Sequence, residues 1–95
     1  MILHMVSQSP SHSALKDCLQ LLGENDALLL LSDGVYALAP GTAALAELGK
    51  CGAKVYALGP DLATRGLAAP DSVDLVDYNG FVSLAAHYDA TQSWY

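Results

Sequence analysis

Two cysteines, three histidines and a few loop serines and aspartates are the side chains through which this chain can do chemistry. Cys18 falls in a stretch where Ala14, Leu15, Cys18, Leu19 and Leu22 share one helix face by their spacing. A thiol there is either a small buried hydrophobe or, once deprotonated, a nucleophile that accepts sulfane sulfur as a persulfide. A reactive thiol wants a helix N-terminus or a nearby cation to lower its pKa. Cys18 lies beyond the first turn, Lys16 points elsewhere and Asp17 opposes a thiolate. Cys51 sits between Lys50 and Gly52 in a helix–strand connection. Lys50 and Lys54 favour a thiolate there, but the position otherwise reads as incidental. Two cysteines are too few for a disulfide scaffold, and their spacing is not that of metal ligands. His4, His12 and His87 are scattered, so no metal and no cofactor is expected. His4, inside an apolar first strand, reads as a packed histidine with a satisfied hydrogen bond rather than a proton carrier.

Other chemistries find less support. Ser9, Ser32, Asp33 and His12 lie in loops, as a hydrolase would need, but no GxSxG elbow holds a nucleophile and Asp33-Gly34 is more simply a turn. Neither GxGxxG nor GxxxxGK[ST] occurs, and the eight glycines stand apart as turn and cap residues do.

The elements that must position these side chains alternate between strand and helix. Met1 to Val6 predicts a buried strand, and Ser11 to Leu22 a helix with Ser9 as cap, Pro10 at its first position and Gly23 as stop. Ala27 to Leu31 suits a parallel strand covered on both faces. Val35 to Ala39 is a short strand or a loop. Thr42 caps a helix from Ala43 to Gly49, and Ala53 to Leu58 is a third strand. Asp61 to Arg65 predicts a helical turn, Val73 to Val76 a strand, and Asn79 to His87 a helix capped by Asp77 or Asn79. The tail from Asp89 to Tyr95 has no regular pattern. This alternation predicts one domain, residues 1–95. Its fold class is α/β, a small three-layer sandwich with a mainly parallel sheet of four to five strands flanked by helices. Ligands of such sheets meet the loops after the strand C-termini, here Ser7 to Ser13, Ser32 to Tyr36, Gly59 to Asp61 and Asp77 to Gly80.

Composition narrows the partners. Hydrophobic residues make up 53% of the chain and charged ones 15%, against a usual share of about 25%. A domain this small hides only about 60–65% of its unfolded surface, so part of the apolar surplus is expected to face another chain. The formal net charge of -6 repels nucleic acid. Apolar runs such as Ala27 to Leu31 fall far short of the roughly 20 residues that cross a bilayer. With no basic n-region at the start, the expectation is a cytoplasmic protein without membrane contact. Tyr78, Phe81, Tyr88, Trp94 and Tyr95 crowd the last 18 residues, which carry no Lys or Arg. Tyr78, Phe81, Trp94 and Tyr95 are therefore interface candidates. The Trp94-Tyr95 tail is either tucked onto its own core or docked on a partner.

The order of several short pieces resembles the TusB/DsrH family of sulfur-relay subunits. They are Leu3-His4, Ser9-Pro10, Asp26 to Leu31 and Asp33 to Ala37, then Val55 to Leu58, Asp61-Leu62 and Arg65 to Leu67. Asp77-Tyr78 with Phe81-Val82, and Gln92 to Trp94, complete the set, so the resemblance runs end to end. It implies a DsrE/DsrF/DsrH-type fold and a heterohexamer with TusC-like and TusD-like subunits, two copies of each of three chains. It implies a TusBCD complex that relays persulfide sulfur from TusA to TusE for 2-thiolation of the tRNA wobble uridine. This chain would serve mainly in assembly, as a non-catalytic or accessory subunit rather than an enzyme by itself. The alternative within the family is a DsrH-like subunit of a DsrEFH complex in dissimilatory sulfur oxidation. Some members carry a cysteine in the first helix, where Cys18 stands, which makes Cys18 the candidate for a secondary persulfide site.

Overall fold

A computed structural model describes residues 1–94. Tyr95, one of the interface candidates, lies outside the described residues. Five strands form one sheet: β1 (Ile2–Val6), β2 (Ala27–Leu30), β3 (Lys54–Leu58), β4 (Val73–Val76) and β5 (Ala90–Trp94). Their order across the sheet is β4-β3-β2-β1-β5, and every neighbouring pair is parallel. The helices are α1 (Ala14–Leu21), α2 (Ala43–Lys50), α3 (Gly59–Thr64) and α4 (Tyr78–His87), and a 3-10 helix spans Ser32–Leu38. The structure is thus α/β, with a five-stranded parallel sheet flanked by helices.

Topology decides which helix covers which face. From β1 to β4 the chain steps one way across the sheet, and right-handed crossovers place α1, α2 and α3 on a single face. The step from β4 to β5 runs the other way, so the same handedness puts α4 on the opposite face. Side-chain alternation follows. Val6, Leu28, Leu30, Val55 and Ala57 join Leu15, Cys18, Leu48 and Leu62 in the larger core cluster. Leu3, Ala27 and Leu29 form a smaller cluster under Phe81, Leu84 and Tyr88. All four residues of β2 are buried, as a strand covered on both faces requires.

Local chemistry sets the ends of the elements. Thr42 Oγ1 accepts the Leu45 N–H at 3.2 Å and caps α2. Asp77 Oδ1 accepts the Gly80 N–H at 2.7 Å and caps α4, which settles the choice between Asp77 and Asn79. Gly34 is fixed by space: a Cβ there would sit 2.1 Å from the Val6 carbonyl oxygen.

Four expectations need correction. The tail is not irregular: Ala90–Trp94 is a full edge strand, in register with β1 from Ile2↔Ala90 to Val6↔Trp94. Val35 to Ala39 is neither strand nor loop, because the close approach of Gly34 to Val6 winds this segment into the 3-10 helix. Helix α1 starts at Ala14 with Ser13 at its N-cap position, not near Pro10; a turn closed by His12 N–H on the Ser9 carbonyl (2.9 Å) uses the residues before it. Pro60 in the first turn of α3 lets that helix begin at Gly59, two residues earlier than expected.

Candidate functional site

All five strands point the same way, so the loops at their C-terminal ends gather on one rim. The rim after β2 and β3 is a closed polar network. Ser32 holds a left-handed φ of 51°, and its N–H donates to Asp61 Oδ2 at 2.6 Å. Arg65 Nη2 and Nε donate to Asp33 Oδ1 at 3.0 and 3.3 Å, and Nη1 donates to the Asp61 carbonyl at 3.1 Å. The guanidinium lies 5.7 Å from the centre of the Tyr36 ring. The Asp33 hydrogen bond raises the Arg65 pKa. These groups satisfy one another and tie the 3-10 helix to α3; no imidazole or thiol stands among them.

A second cluster lies at the junction of β1, β5 and the turn before β2. His4 is buried, at 4% exposure. Its Nδ1 accepts the Trp94 indole N–H at 3.0 Å, and its Nε2 lies 2.9 Å from Asp26 Oδ2. An indole N–H only donates, so Nδ1 is bare and the ring proton sits on Nε2, donated to Asp26. Asp26 also accepts the N–H groups of Ile2 and Gly23, each at 2.9 Å. The His4 bond foremost and then the Gly23 N–H pull the Asp26 carboxyl down from 3.8 to about 2 against the opposing effect of burial, with a lesser pull from the Ile2 N–H. His4 is the packed, hydrogen-bonded histidine read from sequence. Its partners were not read from sequence, although the Glu24-Asn25-Asp26 turn directly before an all-apolar strand was a signal for a part-buried carboxylate.

Cys18 lies on the inner face of α1, fully buried in the larger core cluster. Burial pushes its thiol up from 9.0 to about 12, with further repulsion from Asp26 and then Cys51. Cys51 is half-buried at the end of α2, where its Sγ points to the Ala53 carbonyl at 3.9 Å. His12 caps the loop before α1 through Nδ1, which accepts the Ala14 N–H at 3.3 Å. A surface groove of about 470 Å³ between α1 and α2 is lined by Pro10, Leu15, Lys16, Leu19, Ala44 and Glu47, without thiol or imidazole. Among the described residues no cluster of His, Cys, Asp and Glu can hold a metal ion. No described helix is long and apolar enough to cross a membrane.

The structure separates the aromatic interface candidates. Trp94 packs on the larger cluster and bonds to His4 within its own chain. Phe81 packs inward against the smaller cluster. Tyr78 is 60% exposed, and Val82, one helical turn on, is 67% exposed. From Tyr78 to Ala86, α4 carries no charged residue, and none of its residues is fully buried. Helix α1 exposes Lys16 and Asp17, and α2 exposes Glu47 and Lys50. A surface helix without charge is the pattern of an interface not yet covered.

Known proteins resemble the chain along its whole length. Residues 8–91 match the family described as DsrH-like protein. Protein TusB of Enterobacter sp. (strain 638) is 40% identical over 95 residues, which covers 98% of this chain and all of that protein. Protein TusB of Escherichia coli (strain K12) is 41% identical over the same spans. The ychN protein of E. coli superposes with a TM-score of 0.77 at 18% identity, covering 97% of both chains, and shows the shared fold. Protein Tm0979 of Thermotoga maritima gives a TM-score of 0.66 at 28% identity, covering 94% of this chain and 95% of its own.

Proposed function

The chain belongs to the DsrH-like family, and from that premise we propose that it is a TusB-like subunit of a TusBCD-type sulfur-transfer complex, acting chiefly by assembly. The complex relays persulfide sulfur from TusA to TusE for 2-thiolation of the tRNA wobble uridine, in the cytoplasm. Full-length similarity to proteins named TusB favours this branch over a DsrH-like role in sulfur oxidation. TusC-like and TusD-like subunits are the direct partners. Sulfur transfer needs a thiolate that attacks the outer sulfur of a persulfide, takes that sulfur and releases the donor as a thiolate. Cys18, buried with its thiol raised to about 12, is poorly placed to be either party. It serves as packing, and the sulfur travels on a partner's cysteine.

The observation that carries the assembly role is the uncharged outer face of α4 with Tyr78 and Val82 exposed, on a chain of net charge -6. Burial of these side chains against partners supplies association energy of roughly 1.5–3 kcal/mol for each large apolar residue. The test is the solution mass of the chain co-expressed with TusC-like and TusD-like subunits. A stable assembly containing all three is expected. Val82→Asp is expected to break it while the chain keeps its circular dichroism spectrum, and Cys18→Ser to leave it intact. A monomer that ignores these partners overturns the proposal.

A further inference from the structure

We propose that the Trp94–His4–Asp26 chain is a proton-operated latch, which holds Trp94 while His4 is neutral and releases it when His4 takes a second proton. The inference stands on geometry and does not depend on the assembly role. Both ring nitrogens of His4 are engaged, one with a group that only donates and one with a carboxylate that accepts. A proton on Nδ1 would face the indole N–H at 3.0 Å, so two donors would meet where one hydrogen bond now stands. The Asp26 bond, by contrast, gains charge and strengthens. Protonation therefore favours a state in which His4 stays with Asp26 and Trp94 leaves.

Trp94 sits at the margin of the sheet. It ends β5, an edge strand paired only with β1, and Ala90, Thr91 and Gln92 before it are exposed. Few other groups act on His4. From the turn before β2 comes Asp26, and near Asp26 lies the buried Cys18 of α1, which stays a neutral thiol. Lys16 and Asp17 of α1 are exposed. Leu28 of β2 and Gln92 of β5 stand in register with His4, and neither titrates. At the start of β1 the terminal ammonium and Asp89 pair with each other at 3.0 Å. Trp94 packs on the cluster that contains Cys18, so its release uncovers that edge of the core.

Histidine is the side chain whose charge ordinarily changes between about pH 5 and pH 8. Trp94 is the single tryptophan, so its fluorescence reports the latch directly. The purified full chain is titrated from about pH 8 to pH 5, with far-ultraviolet circular dichroism recorded in parallel. The expected result is a red shift of emission with one-proton steepness, the ratio of released to held forms changing about tenfold per pH unit, while circular dichroism stays constant. His4→Gln, which retains a donor and an acceptor but does not titrate, is expected to abolish the transition. Asp26→Asn is expected to move it to lower pH, because the imidazolium loses its carboxylate. Constant emission, a transition that persists in His4→Gln, or one that coincides with loss of circular dichroism overturns the latch. Should His4→Gln fail to fold, a transition left unmoved by Asp26→Asn overturns it as well.

Discussion

Asp26→Ala removes the acceptor on which three separate donors converge. The His4 Nε2–H is buried, and a hydrogen bond from it to a carboxylate contributes about 1.5–3 kcal/mol. The part-buried Ile2 N–H adds about 0.5–1.5 kcal/mol. The Gly23 N–H is exposed and turns to water, so its loss costs about nothing. The variant is thus about 3 kcal/mol less stable at pH 7, and with a urea slope of about 1–3 kcal/mol per M its midpoint falls by about 1–3 M. The pH dependence follows from the carboxyl lowered from 3.8 to about 2. A folded pKa below the unfolded one stabilises fully above the unfolded value, and this contribution drains away as pH falls through the folded value. Such a lowering is worth at most about 2.5 kcal/mol, reduced to about 1–2 kcal/mol for a carboxylate that solvent still reaches. The gap between parent and variant should therefore narrow by that amount between about pH 5 and pH 2. Urea titrations of both proteins across that range give the answer. An unchanged midpoint at pH 7, or a gap that keeps its full size in acid, refutes the reasoning.

Two further outcomes are expected. Gly34→Ala should lose about 2–3 kcal/mol in thermal or urea unfolding, because its Cβ meets backbone rather than a movable side chain; a neutral effect would mean the 3-10 helix can lift off β1. In the folded chain at neutral pH, iodoacetamide should modify Cys51 and leave Cys18 untouched until denaturant is added, with Cys18 slower by about a thousandfold or more. Equal rates by mass spectrometry would show that α1 opens readily.

The sequence was most legible where one local signal suffices. The strands β1 to β4 are short apolar runs between turn residues, and α2 and α4 begin at Thr42 and Asp77, whose side chains can cap. The strand β5 was illegible for a physical reason. Ala90, Thr91 and Gln92 face water at the sheet edge, and Trp94 alone anchors to the larger core cluster, so no period of two appears. The 3-10 helix depends on a clearance between Gly34 and Val6, 28 positions apart, that no local pattern encodes. The same holds for the candidate sites. His4 was readable as a satisfied buried histidine from its apolar neighbours, but Trp94 lies 90 positions away. Arg65 and Asp33, 32 positions apart, meet only because β2 and β3 are neighbours. Tyr78 and Phe81 read alike in the sequence as interface candidates, yet Tyr78 is exposed whereas Phe81, three residues on, turns inward to the sheet.

The placement of the first strand beside the last has a kinetic consequence. The β1–β5 ladder joins residues 2–6 to residues 90–94, so it closes nearly the whole chain into one loop. Closing a loop of that length is entropically slow, and contacts of such high sequence separation lower folding rates. The steps from β1 to β4 join nearer segments and can form as soon as they are synthesised. One edge of β1 then waits, unpaired, until the final residues arrive. A chain stopped before Ala90 presents that edge to any extended segment nearby, which makes the nascent and truncated forms the ones at risk of aggregation.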